Sequence, residues 1–149
     1  MHSIIKFFHV LCGISFFGIT IASFYYITRS IKKGDRALVG YSIRASYFGD
    51  GLILACIFIQ ITTSISLVTT EHFSLKIPWI FVAYLAFGLL IILWLLTLLI
   101  KKIYFSGMAI PPPSLKSYYV LNSAMILIFI MIIHDAVTQS TRLEFLFRE

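Results

Sequence analysis

The chain has 149 residues, of which 60% are hydrophobic and only 12% charged. With a mean hydropathy of +0.97 it carries more apolar surface than a soluble domain can hide, which excludes the soluble and disordered classes and leaves a membrane protein. The net charge of +6 comes from residues that flank apolar runs and not from a patch on a polar fold, so nucleic acid is not an expected partner.

A helix needs roughly 20 apolar residues to cross a bilayer. Four runs reach that length, at about 4–27, 47–68, 77–100 and 118–137. The predicted fold is all-α: a four-span transmembrane helical bundle, up-down-up-down, forming one integral membrane domain over 1–149. The first run is too long for a signal h-region, lacks a basic segment before it and a small-x-small site after it, and is read as a retained span.

Span 1 carries His9, about 5 residues in and so roughly 8 Å below the membrane boundary. Its helical face continues through Gly13, Phe16, Thr20 and Ser23. Small and polar residues on a membrane helix pack against other helices, so this face is expected to look inward. Cys12, and Cys56 in span 2, lie inside apolar runs and read as small buried hydrophobes without disulfide or zinc spacing.

The connection from span 1 to span 2 is read as a basic loop with Arg29, Lys32, Lys33, Arg36 and Arg44; that from span 3 to span 4 holds Lys101, Lys102 and Lys116. The opposite side has Lys6, Lys76, Arg142 and Arg148, and eight against four places the basic loops in the cytoplasm and both termini outside it. Lys32 and Lys33 are also positioned to meet anionic headgroups. Tyr25, Tyr26, Tyr104, Tyr118 and Tyr119 fit an inner aromatic belt, and Trp79 an outer one.

Asp50, at the inner start of span 2, is expected to pair with Arg44 or Arg29. Farther along, Cys56, Gln60, Thr63 and Ser64 form a second inward stripe. Glu71 and His72 fall in the outer loop. Span 3 has almost no polar residue besides Tyr84 and Thr97, which predicts the most lipid-exposed helix. Pro111, Pro112 and Pro113 are read as loop, because proline cannot donate a helix hydrogen bond. Span 4 ends on His134 and Asp135. The His134 face runs through Met131, Leu127 and Ser123; Asp135 lies about 100° round the helix, off that line, with an expected place at the aqueous edge, as a cap, or beside another histidine.

His9 and His134 thus share one side of the membrane at similar depth, on helices that neighbour one another in a simple up-down bundle. Three readings stay open. Both rings could hydrogen-bond backbone or water near the interface. They could be the axial ligands of a haem b between spans 1 and 4, with Gly13 making room for the macrocycle. Or His9, His134, Asp135, Glu71 and His72 could offer nitrogen and oxygen ligands to copper or zinc at the outer face. No phosphate loop, nucleophile elbow or Cys-x-x-Cys-His attachment occurs, so enzymatic activity is left open and covalent haem is not expected.

"IKFFHVLCGISFFG" at 5–18, the basic connection, "GDGLILACIF" at 49–58 and "PWI" at 78–80 together resemble a bacterial family of predicted integral membrane proteins of unknown function, over nearly the whole chain. The Lys6-x-x-His9 opening is also similar to span 1 of the HemJ type of protoporphyrinogen oxidase and of the CopD copper-resistance membrane domain. The HemJ likeness implies a haem-binding role for His9. Where that family has a Pro-Arg pair and a further histidine, this chain reads "ASFYYITRS", with Arg29 as the approximate counterpart. The resemblances imply a multi-pass protein of the bacterial inner membrane. Haem would bring electron transfer with quinone or a respiratory partner; otherwise a cofactor-free accessory subunit or copper handling is expected.

Overall fold

The computed structural model describes residues 2–70, 77–105 and 112–138. Those residues form four helices: α1 (His2–Lys33), α2 (Arg36–Thr70), α3 (Pro78–Phe105) and α4 (Pro112–Thr138). Each is long and apolar enough to cross a membrane, which bears out the all-α, four-span expectation. In lipid no water is present to satisfy the backbone, so an apolar run of this length has to pair its amides internally, as a helix.

The helices outrun the apolar stretches that announced them. α1 has 32 residues and α2 has 35. At ~1.5 Å per residue each is roughly 50 Å long, well beyond the ~30 Å hydrocarbon core. The basic "loop" between them is therefore not a loop. Arg29, Lys32 and Lys33 lie within α1, and Arg36 and Arg44 within α2. Only Gly34 and Asp35 separate the helices.

Local chemistry explains so tight a turn. Gly34 adopts φ +71°, a left-handed conformation without steric cost in the absence of a Cβ, and its N–H reaches the Ile31 carbonyl at 3.0 Å. Asp35 then caps α2, its carboxylate accepting from the N–H groups of Ala37 (2.8 Å) and Leu38 (3.2 Å). A second correction falls on the prolines. Pro112 and Pro113 stand in the first turn of α4, where no intrahelical donor is required; Pro111 lies outside the described residues.

Packing divides the chain into two units, one holding α1 with α2 and the other α3 with α4. In the first, α1 buries Cys12, Phe16, Thr20, Ile27 and Ser30, while α2 buries Val39, Ile43, Ser46, Asp50, Ile53 and Ile57. Both series advance by three, four or seven residues, one face of a helix. The small residues set the spacing. A Cβ on Gly49 would stand 2.8 Å from Ile19 Cγ2, so the backbones approach there as closely as glycine allows. Nearer the turn, the Ser30 and Ser42 hydroxyls bond at 2.6 Å. Apolar side chains gain little from leaving lipid, so such packing and hydrogen bonds hold the pair.

In the second unit, six residues (106–111) join helices of 28 and 27 residues, too few to run back along either, so α3 and α4 are antiparallel. α3 buries Ile80, Val82, Ala86, Leu90, Trp94, Thr97 and Lys101. The expectation that span 3 would be the most lipid-exposed helix is overturned: its span buries as large a share as that of α4 and more than those of α1 and α2. A largely apolar helix packs by shape, with Leu90 fully enclosed. Tyr118 is likewise buried against this unit and is not a belt residue.

Candidate functional site

The site begins at His9, one turn before Gly13 on α1. Its ring enters the α1–α2 interface and is held at both ends. Nδ1 lies 3.0 Å from Thr63 Oγ1, and Nε2 lies 3.2 Å from Gln60 Nε2. The Thr63 hydroxyl proton goes to the Ile59 carbonyl at 2.6 Å, so its oxygen is left to accept. This assigns Nδ1 as the protonated nitrogen of a neutral imidazole, with Nε2 accepting from the Gln60 amide. Gly13 lies beside that amide: a Cβ there would stand 3.6 Å from Gln60 Nε2, an ordinary van der Waals contact. The inward face expected for His9 is therefore present, and so is the facing stripe of α2. One atom remains unsatisfied, Gln60 Oε1, buried without a hydrogen-bond partner.

At the far end of α4 the expectation was inverted. Asp135, expected off the inward line, is only 2% exposed, while the His134 side chain is 43% exposed. The face expected to accompany His134 inward, Met131, Leu127 and Ser123, is exposed as well. The reason is the phase of the helix. Tyr118, Asn122, Met125 and Phe129 are the residues buried against α3, and His134 falls on the opposite side of the cylinder. His134 Nδ1 nonetheless stands 3.1 Å from Asp135 Oδ1, and the carboxylate holds the ring orientation. His134 Nε2 makes no hydrogen bond to the described residues.

Of the expected ligand set, His9 is placed in the α1–α2 unit and His134 with Asp135 in the α3–α4 unit. Glu71, His72 and the His2 side chain lie outside the described residues. Among the described residues no group of three or more His, Cys, Asp or Glu side chains is placed to hold a metal ion. For haem, the fit is uneven: His134 presents a ring nitrogen, whereas His9 has spent both of its nitrogens inside its own helix pair.

Asp50 is buried, at 6% exposure, near the middle of the α1–α2 interface. Arg29, one of its two expected partners, instead donates to the Tyr25 hydroxyl at 2.8 Å and lies 5.9 Å over that ring. The stripe that holds Gln60 and Thr63 is legible in the sequence, but its meeting with His9 is not. The available signal was the Gly34–Asp35 turn: once a short turn is recognised, counting outward from it brings His9 opposite 60–63.

Comparison with known proteins finds no matching family model, curated protein or solved structure. Function therefore rests on the chain's own geometry.

Proposed function

We propose that this chain is a small multi-pass accessory subunit of a membrane, with His9 serving as an interhelical clamp and not as a ligand. The observation that carries this reading is the engagement of both His9 ring nitrogens by Thr63 and Gln60. A polar residue within a span costs little once its donors and acceptors meet partners on the neighbouring helix. The proposal places it in the bacterial inner membrane with both termini outside the cytoplasm, an orientation supported by the bias of basic residues toward one end of each helix pair. The lipid bilayer is the partner of the exposed apolar faces, such as Phe7, Leu11 and Ile14 on α1.

A second reading has its own support. His134 is exposed, oriented by Asp135, and offers Nε2. An imidazole fixed through its other nitrogen by a carboxylate is the arrangement that serves metal ligation, including the axial position of a haem b. His9 could serve as a ligand only by giving up Gln60. Electron exchange with quinone or a respiratory partner would be the use of such a centre.

The absorption spectrum of the full-length protein, expressed with haem supplied and purified in detergent, separates the two. The accessory reading expects no Soret band. A stoichiometric band that His134→Ala abolishes would overturn it and establish the haem reading.

A further inference from the structure

The α1–α2 interface holds a second pair of reactive groups, one turn away from the clamp. Cys12 follows His9 by three residues on α1, and Cys56 precedes Gln60 by four on α2. Across the antiparallel pair, each step forward on α1 is a step back on α2. Gly13 meets Gln60 on one side, and Ile19 meets Gly49 on the other. Cys12 lies seven residues before Ile19 and Cys56 seven after Gly49, two turns along the same face of each helix, so the pair repeats the register of the close Ile19–Gly49 contact. Cys12 is 6% exposed, Cys56 is half-buried, and both side chains are free thiols.

We propose that Cys12 and Cys56 form a reversible disulfide across α1 and α2, with a lipid-soluble quinone as the oxidant. Two S–H bonds break and one S–S bond forms; the two electrons and two protons pass to the quinone, which becomes the quinol. A dithiol restores both thiols by exchange. The register matters because a disulfide joins Cα atoms no more than about 7 Å apart, a limit that residues facing one another across a closely packed helix pair can meet. The oxidant must be lipid-soluble because both thiols sit in spans and face an interface that aqueous disulfides do not reach. Oxidised, the two helices become covalently one element, locked at the level of the His9 clamp. This inference does not depend on whether haem is bound.

The chain has two cysteines, so mass alone defines the product. Full-length protein in detergent is incubated with oxidised decylubiquinone, denatured, treated with N-ethylmaleimide and weighed intact. The expected product is a monomer about 2 Da lighter than the thiol form and carrying no maleimide. Dithiothreitol before alkylation should restore two maleimides. Cys12→Ser and Cys56→Ser should each retain one alkylatable thiol after quinone, which assigns the bond without relying on their stability. Two maleimides on the quinone-treated wild type, a covalent quinone adduct, or a disulfide-linked dimer in place of the lighter monomer would each overturn the proposal.

Discussion

Removing the His9 clamp should produce an asymmetry that a ligand role would not. His9→Leu keeps an apolar side chain of similar bulk but deletes both interhelical hydrogen bonds. Such bonds average ~0.6 kcal/mol in membrane proteins and reach ~1.7. Two of them, with the Gln60 amide then left buried and unmatched, give an expected loss of about 1–3 kcal/mol. Gln60→Leu also deletes one bond, but it removes the already unsatisfied Oε1 at the same time. Its net cost should be smaller, below about 1 kcal/mol. The double variant should cost less than the two singles added, with a coupling of ~0.6–1.7 kcal/mol. Reversible unfolding in mixed micelles, followed by circular dichroism, measures all four proteins. Strict additivity within ~0.3 kcal/mol would show that His9 and Gln60 do not act on one another, and the clamp would be abandoned.

Three further outcomes test other parts of the structure. Gly49→Ala drives a Cβ to 2.8 Å from Ile19 Cγ2, a methyl on a stiff β-branched side chain, and should cost about 1–3 kcal/mol in the same unfolding measurement. Gly18→Ala, with nothing within 4 Å, is its control and should not destabilise. At the turn, Gly34→Ala must hold a Cβ at φ +71° and should lose roughly 1–2 kcal/mol, and Asp35→Ala about 1 kcal/mol through the lost cap; helix content unchanged on heating relative to the parent would count against both. Finally, in a Cys12→Ser/Cys56→Ser background, single cysteines replacing Lys33 and Lys102 should be shielded from an impermeant outer thiol reagent while one replacing Ser74 reacts; the reverse labelling would invert the topology.

By itself the sequence determined the number of spans and the all-α class. The reason is that lipid offers the backbone no partner, so apolar length is almost sufficient to specify a helix. It also determined the inward face of α1, because Gly13, Phe16, Thr20 and Ser23 differ from lipid-facing residues in size and polarity. Helix ends were less legible. Apolar runs mark where the bilayer stops and not where the helix stops, and the carrying signal was the two-residue turn of Gly34 and Asp35. Only the tertiary structure decided which residues meet. Thr63 and Gln60 were visible as a stripe, yet their partner depends on the offset between two helices, which no local pattern contains. On α4 the apolar residues surround the whole cylinder, so composition could not choose a face. Packing against α3 chose Tyr118, Asn122, Met125 and Phe129, a phase that turns His134 outward, while its neighbour Asp135 is buried. Adjacent residues on a helix stand about 100° apart, so in a helix without a polar face the inward member of a pair is set by the neighbour it packs against.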